Sequence, residues 1–466
     1  MRRWLATLLC SATLTAHATG LPPAVSTALE QAHVPLASVG IVVQEVGSKT
    51  ALISLNPDKP MNPASVMKVL TTYAALDLLG PAYTWKTEAW LNGPLDASGV
   101  LHGDLILKGY GDPNLTLEQF WLWLRELRNR GLREIQGDLV LDRSAFDLPP
   151  FDPGAFDNDP MRPYNAGPDA LAINGSVLTF KLVPKGDAVQ LLPEPALDGI
   201  SVENHLRPAR DMACGEWDDR IRADFTERRL TLSGPYPEAC GEKNYYLSPL
   251  PARDYTYALF RALWQELGGT LKGRLRDGLV PADATLLSSR TSAPLAEMVR
   301  TTNKFSNNLM ARQIFLGLSA AQGRGSIARS LAVVHDWLRA KGEDFPELRL
   351  ENGAGLSRTE RISPRHLARL LQWANGSSLQ PEFEASLPIA GVDGTLRKRY
   401  RDHQVAGHAH LKSGTLNEAS AIAGFVHADN GRQWIVVFIA NQVNAAAAIP
   451  AQVALVNWLY SQQREP

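Results

Sequence analysis

Three short motifs with complementary polar side chains lie far apart in the chain, and they constrain the fold more than any other feature. They are Ser65-Val66-Met67-Lys68, Ser306-Asn307-Asn308 and Lys412-Ser413-Gly414. A serine and a lysine one helical turn apart can make a nucleophile and its base. A Ser-x-Asn and a Lys-Ser-Gly can complete such a site. The first two motifs begin 241 positions apart, so a fold that unites them must place a large insertion between them.

The Ser-x-x-Lys motif is weak evidence alone, because average composition gives about one or two such tetrads in a chain of this length. Its setting is more specific. Asn62-Pro63 predicts a helix start, and Gly80-Pro81 predicts the stop. The helix between them has apolar side chains on every side, which is typical of a buried helix. They are Val66, Met67, Val69, Leu70, Tyr73, Ala74, Leu76, Leu78 and Leu79. An ordinary helix start with a lysine reaching solvent is the alternative.

Ser65 then lies in the first turn of this helix, where its backbone N–H has no acceptor four residues back. That N–H can donate to a developing oxyanion at the positive end of the helix dipole. Lys68 lies on the same face. Burial should lower the pKa of its ammonium group toward the range of a general base.

The N-terminus is typical of a secretory signal. Arg2 and Arg3 precede the short apolar stretch 5–16, and we predict that residues 1–18 are removed by cleavage after Ala18. No later segment has the length of a transmembrane helix. The mature protein is therefore expected in the periplasm or outside the cell. Without Arg2 and Arg3 the chain has 45 basic and 48 acidic residues, a formal charge of −3. This near-neutral balance indicates no nucleic-acid partner.

Two cysteines, Cys214 and Cys240, remain after the signal. Export favours a disulfide between them over the alternative of two buried thiols. His408 and His410, at i and i+2, could share a strand face and bind metal. The sequence shows no third ligand cluster beside them, so neither a metal site nor a cofactor is predicted.

The two ends of the chain predict one antiparallel sheet. Residues 39–46 and 51–55 are typical of a hairpin, and three strands are indicated near the C-terminus. These three predicted strands are His408–Lys412, Ala419–His427 and Gln433–Ala440. A closing helix over 450–462 follows. We therefore predict an α+β catalytic domain, a five-stranded antiparallel sheet flanked by helices, formed by residues 19–88 and 289–466.

The middle of the chain, residues 89–288, is predicted to be an insertion of one or two smaller, mostly β domains. One clear helix is expected over 117–130, with Thr116 and Gln119 as its capping box. Residues 148–169 are rich in Pro, Asp and Asn and predict a long loop or surface arm. Strand-like pieces return over 195–287.

The chain resembles the low-molecular-mass penicillin-binding proteins of the D-alanyl-D-alanine carboxypeptidase/endopeptidase type, which carry a large insertion between their first two motifs. Besides the three motifs, the resemblance rests on 62–68, 108–113, 352–358 and 391–396. It implies a β-lactamase/D,D-peptidase-like fold and hydrolysis of peptidoglycan stem peptides through an acyl-enzyme. It also implies acylation by penicillin and other β-lactams. The sequence leaves a homodimer open.

Five side chains are expected to carry the reaction. Ser65 attacks the carbonyl of the penultimate D-alanine, and Lys68 takes its proton. Ser306 relays that proton to the leaving amine, and the amide of Asn308 fixes both Lys68 and the substrate. Lys412 lowers the pKa of Lys68 and attracts the terminal carboxylate. The alternative for Ser306-Asn-Asn is a helix cap.

The resemblance implies further substrate contacts. Ser413 stands where the family usually has threonine, and Thr415 matches the second oxyanion donor. An acidic residue of the insertion is expected to bind the amino group of a diamino acid, which Asp159 matches best, although Asp157 is close. Further candidates for substrate contacts are Arg358 and Asn417.

Two other functions share these motifs. A β-lactamase or esterase on the same scaffold would need a base that activates water for fast deacylation, and no such base is evident between Ser306 and Lys412. A peptidoglycan-binding protein without catalysis is the second alternative. All five catalytic side chains are present, which disfavours it.

Overall fold

The structure is a computed structural model that describes residues 20–462. The predicted signal, residues 1–18, lies outside the described part. Residues 20–462 form two five-stranded sheets, three smaller sheets and the helices that cover them. No helix within these residues combines the length and apolar character needed to cross a membrane.

Helices cover both faces of one sheet and the middle of the insertion. Their bounds are α1 (Pro23–Gln31), α2 (Lys68–Leu79), α3 (Leu117–Asn129), α4 (Ala252–Glu266), α5 (Leu295–Phe305), α6 (Asn308–Ala320), α7 (Ile327–Ala340), α8 (Pro364–Asn375), α9 (Gln380–Ser386) and α10 (Ile449–Tyr460).

Strands are concentrated at the two ends of the chain and in the insertion. Their bounds are β1 (Val39–Glu45), β2 (Ile53–Leu55), β3 (Lys86–Asn92), β4 (Val100–Leu101), β5 (Asp104–Gly109), β6 (Glu134–Ile135), β7 (Leu139–Asp142), β8 (Leu178–Lys185), β9 (Ala188–Glu194), β10 (Ser201–Ala209), β11 (Arg222–Thr226), β12 (Arg229–Pro237), β13 (Lys243–Leu247), β14 (Thr270–Leu271), β15 (Leu275–Asp277), β16 (Thr285–Thr291), β17 (Ala409–Leu416), β18 (Ala419–His427) and β19 (Gln433–Asn441).

The sheet that joins the two ends of the chain has the order β17-β18-β19-β1-β2, and all its neighbours are antiparallel. Side chains alternate between its faces. On β19, Ile435 and Val437 pack with α2 and α8, while Val436 and Phe438 pack with α1 and α10. The predicted five-stranded antiparallel sheet between helical layers is confirmed.

Helix α2 is buried on almost every side, as its sequence predicts. Its last turn departs from the prediction, because Leu78 is 39% exposed. The segment also starts differently, since a 3-10 turn, Ala64–Met67, precedes the α-helix. Asn62 Oδ1 still accepts the backbone N–H of Ala64, at 2.9 Å, so it serves the turn rather than the α-helix.

The second five-stranded sheet has the order β15-β7-β5-β3-β16 and mixes parallel and antiparallel pairs. Its strands β3 and β16 span the predicted domain limits at 88/89 and 288/289. The division into 19–88 with 289–466 around an insertion stays a prediction.

The insertion contains a second helix that the sequence analysis did not predict. The strand-like interpretation of 195–287 is wrong over α4, where Tyr255, Leu259 and Leu263 are buried at helical spacing. In α3 the capping box of Thr116 and Gln119 is present. Helices α3 and α4 share one core with the strands of the insertion.

The remaining strands of the insertion form three small sheets, ordered β10-β12-β11, β13-β8-β9 and β14-β6-β4. The prediction of a mostly β inserted region is confirmed. Cys214 and Cys240 form a disulfide with an S–S distance of 2.11 Å. It joins the segment after β10 to the 3-10 turn after β12.

Residues 148–169, here called the arm, form a long connection with a single 3-10 turn at Pro163–Asn165. The carbonyl oxygens of Tyr164 and Ala166 accept hydrogen bonds from side chains of α6, at 3.2 Å and 2.6 Å. The arm therefore extends from the insertion to the helix that follows Ser306.

Candidate active site

Ser65 and Lys68 meet at the start of α2. Ser65 belongs to the 3-10 turn, and Lys68 is the first residue of the α-helix. Lys68 Nζ lies 3.1 Å from Ser65 Oγ, and its side chain is fully buried. The lysine that the alternative interpretation placed in solvent is therefore inside the protein, in contact with the serine.

Two further oxygens surround the Lys68 ammonium group. Nζ donates to Asn308 Oδ1 at 2.7 Å and to the carbonyl oxygen of Ala354. Burial, and then the positive charge of Lys412, lower the pKa of Lys68 well below its usual value. A neutral Lys68 could accept the Ser65 proton while Asn308 and Ala354 hold the nitrogen in place.

Ser306 occupies the junction between α5 and α6 in a left-handed conformation, with φ 56° and ψ 36°. The helix cap belongs to its neighbour, because Asn307 Oδ1 accepts the backbone N–H of Met310 at 3.0 Å. Ser306 and Asn308, on either side of this cap, both contact lysines of the site. The motif thus serves as a helix cap and as part of the site.

Lys412, on the edge strand β17, is fully buried. Its Nζ donates to Ser306 Oγ at 2.9 Å and to the carbonyl oxygen of Ser413 at 2.6 Å. Burial, and then the charge of Arg399, lower the pKa of Lys412 to about 7. Two buried lysines thus face two serine hydroxyls.

Gly414 allows β17 to pass close to the nucleophile. A Cβ at this position would lie 2.6 Å from the backbone nitrogen of Ser65 and 2.9 Å from the carbonyl oxygen of Pro63. Ser413 Oγ is 3.1 Å from Thr395 Oγ1. Thr415, the next residue, is exposed, so its environment is open to a bound molecule.

A buried carboxylate missing from the sequence analysis shapes the turn that carries Ala354. Glu360 Oε1 accepts the backbone N–H groups of Glu351, Asn352 and Gly353 at 2.9 to 3.0 Å. These bonds present the Ala354 carbonyl to Lys68. Burial raises the pKa of Glu360. The two glycines of Asn352-Gly-Ala-Gly are a sequence signal for a turn, but nothing in the sequence marks Glu360 as its support.

An ion pair between buried Lys304 and partly exposed Asp393, also missing from the sequence analysis, fixes the end of α5. Lys304 Nζ lies 2.6 Å from Asp393 Oδ2, and Asp393 Oδ1 accepts the backbone N–H of Ile389 at 2.7 Å. The pair joins the helix end before Ser306 to the segment that contains Thr395. It therefore helps to hold Ser306 opposite β17.

The arm carries both acidic candidates. Asp159 Oδ2 is 2.8 Å from Arg162 Nε. Asp157 accepts hydrogen bonds from the hydroxyl of Tyr164 at 2.9 Å and from the amide of Asn165 at 2.7 Å. Asp159 thus has a cationic partner, whereas Asp157 is held by two neutral groups.

The remaining predicted contacts lie at the surface near the arm and the end of β17. Arg358 stacks over the ring of Phe156 at 4.9 Å and lies 4.0 Å from Glu418. Asn417 is exposed between β17 and β18. Arg358 therefore links the arm to the β17–β18 turn.

The prediction that His408 and His410 share one strand face is wrong. His408 packs against Tyr460 of α10, with ring centroids 5.0 Å apart. His410 instead approaches His427, with ring centroids 5.8 Å apart. The sequence prediction failed here because β17 begins only at Ala409, so His408 lies before the regular alternation.

The fold and these motifs define a class of serine acyl-transfer enzymes with a Ser-Lys pair. Residues 21–462 match the D-Ala-D-Ala carboxypeptidase 3 (S13) family, and the chain belongs to this family. The predicted family, fold class and serine-type D-Ala-D-Ala carboxypeptidase activity are confirmed.

Individual relatives agree over most of the chain. A D-alanyl-D-alanine carboxypeptidase of an Actinomadura species is 29% identical over 84% of this chain and 76% of that protein. A D-alanyl-D-alanine carboxypeptidase of Haemophilus influenzae is 26% identical over 86% and 84%. The crystal structure of penicillin binding protein 4 from Haemophilus influenzae superposes with a TM-score of 0.79, at 25% identity, over 94% of this chain and 99% of that one.

Proposed function

We propose that this enzyme cleaves the terminal D-alanyl-D-alanine bond of peptidoglycan stem peptides, or cross-links made through the same D-alanyl carbonyl, by an acyl-enzyme on Ser65. One observation carries the proposal: the buried Nζ of Lys68 lies 3.1 Å from Ser65 Oγ and 2.7 Å from Asn308 Oδ1. Residues 19–88 and 289–466 would form the catalytic domain around this pair.

The reaction proceeds in two halves. Ser65 Oγ attacks the carbonyl carbon of the penultimate D-alanine while Lys68 takes the hydroxyl proton. The backbone N–H groups of Ser65 and Thr415 stabilise the oxyanion. The C–N bond then breaks, and the leaving amine receives a proton through Ser306. Water or a second amine later attacks the ester and releases Ser65.

Lys412 binds the substrate carboxylate and assists proton transfer through Ser306. Its contact with Ser306 Oγ at 2.9 Å supports a role in returning the proton to the amine. A bound carboxylate would favour the charged form of Lys412, whose pKa burial otherwise lowers to about 7. Ser413 and Asn417 lie along the same strand end and complete the carboxylate site in this proposal.

The arm supplies the specificity acid. Asp157 accepts hydrogen bonds from the neutral side chains of Tyr164 and Asn165, whereas Asp159 is already paired with the cation of Arg162. This contrast supports Asp157 as the residue that binds the free amino group of a diamino acid, with Arg358 beside it. The sequence match had favoured Asp159.

A β-lactamase or esterase function is less well supported. Rapid deacylation needs a base, such as a carboxylate, that can activate water. The buried carboxylate of this site, Glu360, has Oε1 committed to three backbone N–H groups. Its other oxygen, Oε2, is buried and has no hydrogen-bond partner among the described residues, so it does not face an open solvent channel. The acyl-enzyme formed with β-lactams is therefore expected to persist.

We propose that the enzyme acts in the periplasm. The relatives named above are D-alanyl-D-alanine carboxypeptidases, and residues 1–18 are predicted to be a secretory signal. Cleavage after Ala18 would release the enzyme into the periplasm.

The test is intact mass after incubation with benzylpenicillin, on the wild type and on Ser65→Ala. One stable adduct on the wild type alone supports the proposal. Hydrolysed penicillin without an adduct would favour the β-lactamase, and neither adduct nor hydrolysis would favour the binding protein. Ser98→Ala, at an exposed position of the insertion, is the matched control and should acylate normally.

A further inference from the structure

Two imidazoles and one carboxylate converge on the sheet beside the candidate active site. Glu384 comes from α9, His410 from β17 and His427 from the end of β18. One potential ligand atom from each residue lies within 4.8 Å of those of the others. None of the three takes part in the proposed reaction.

The carboxylate of Glu384 is oriented as metal ligands usually are. It is only 6% exposed. Its Oε2 accepts hydrogen bonds from the amide groups of Gln380 and, at 3.3 Å, of Gln433, while Oε1 contacts His427 Nε2. Two amides thus fix one oxygen and leave the other facing the imidazole, an outer-shell arrangement that is typical of metal-binding carboxylates.

His410 has an equally defined orientation. Its Nδ1 lies 3.2 Å from the backbone carbonyl oxygen of Glu384. A carbonyl can only accept, so Nδ1 carries the proton and Nε2 carries the lone pair. A histidine that binds metal commonly donates its other N–H to a backbone carbonyl in this way.

We propose that Glu384, His410 and His427 bind one Zn²⁺ ion, with water in the fourth position. Two imidazole nitrogens and a glutamate oxygen are an established ligand set for this ion. The positive charge nearby, on Lys304, is paired with Asp393 at 2.6 Å. His427 is 45% exposed along its side chain, which gives the ion a path to the site.

The ion would act as a clamp rather than in catalysis. It would join α9 to β17 and β18, two residues from Lys412. Helix α9 also holds α5, because Asn303 Nδ2 donates to Ser386 Oγ at 2.9 Å, and α5 ends next to Ser306. Zinc should therefore stabilise the contact between the elements that carry Ser306 and Lys412.

The test is isothermal titration of zinc chloride into chelator-treated protein without a histidine tag, and Co²⁺ absorption as an independent measure of tetrahedral binding. We expect one equivalent of zinc per chain and a rise in melting temperature. Glu384→Gln and His427→Ala should abolish both effects. Gln433→Leu, which removes only an outer-shell amide, should weaken binding about 10–100-fold. His408→Ala, on Tyr460, is the matched control and should bind as the wild type does.

Circular dichroism must show that each variant is folded. If Glu384→Gln or His427→Ala does not fold, the weaker zinc binding expected of Gln433→Leu tests the proposal instead. Absence of saturable zinc binding by the folded wild type would overturn the proposal. So would one equivalent bound with unchanged affinity by both Glu384→Gln and His427→Ala, because the ion would then lie elsewhere.

Discussion

Lys68 and Asn308, 240 positions apart in the sequence, are joined by a hydrogen bond of 2.7 Å from Nζ to Oδ1. The other end of the same amide, Nδ2, donates to the carbonyl oxygen of Tyr164 at 3.2 Å. One side chain thus contacts both the proposed general base and the arm. Positioning of the base and docking of the arm are therefore coupled through Asn308.

Asn308→Ala should lower the rate of acylation by benzylpenicillin about 10–100-fold. The change removes an acceptor from a buried lysine, and a hydrogen bond to a charged group contributes about 1.5–3 kcal/mol. Stopped-flow acylation kinetics measure the effect. Asn307→Ser keeps an oxygen for the helix cap and should acylate almost normally. Equal rates for Asn308→Ala and the wild type would contradict the assignment of Asn308.

The acylation rate should rise with pH and level off well below pH 10.5. Lys68 accepts a proton only when neutral, and burial with the charge of Lys412 lowers its pKa. Lys412→Gln removes that charge, so the rising limb should move to higher pH while the rate falls. Lys185→Gln, at an exposed site of the insertion, should leave the profile unchanged. A limb that does not move in Lys412→Gln would show that the charge of Lys412 does not act on the base.

Gly414→Ala should reduce acylation about 100–1,000-fold, the usual effect of losing an oxyanion donor. The added methyl group would lie 2.6 Å from the backbone nitrogen of Ser65, so β17 must move away. Gly317→Ala is a suitable comparison, because a Cβ there would be 3.5 Å from Trp85 and the position is helical. Nearly normal acylation in Gly414→Ala, measured by adduct mass against time, would show that this approach is not needed.

Exchange of the two acids of the arm should separate their roles. Asp157→Asn should raise the KM for a stem peptide with a free diamino-acid amine and leave benzylpenicillin acylation unchanged. Asp159→Asn should have a smaller effect, since Asp159 is paired with Arg162. Peptide turnover followed by release of D-alanine measures both variants. A larger loss of peptide turnover in Asp159→Asn than in Asp157→Asn would instead identify Asp159 as the specificity acid, as the sequence indicated.

The sequence predicted those parts of the fold that depend on local pattern. The all-apolar run after Ser65 predicted the buried helix α2, and alternation near the C-terminus predicted β17, β18 and β19. The three motifs predicted which side chains lie near each other. Burial of Lys68 followed from the same pattern, whereas the burial of Lys412 was not predicted.

Features that depend on tertiary pairing escaped prediction. Strands β3 and β16, which contain the predicted limits 88/89 and 288/289, pair with each other. Residue pattern alone does not show which strands pair. Glu360 is a single acid in a loop, and its three backbone partners emerge only after folding. Glu384 and His427 have no motif spacing with His410, so their convergence could not be expected from the sequence.

The pairing of β1 with β19 has a consequence for the order in which this protein is made. Strand β1 is synthesised about four hundred residues before its partner, since Val39 pairs with Ala440. Domains generally fold as units in order of synthesis. The strands of the insertion lie between these partners and can pair first. Helix α2, which follows Ser65, must then keep its apolar surface uncovered until the last strand has emerged. A chain that ends before β19 would contain the nucleophile but lack the complete sheet that encloses it. Acylation by penicillin would therefore distinguish completed chains from truncated ones.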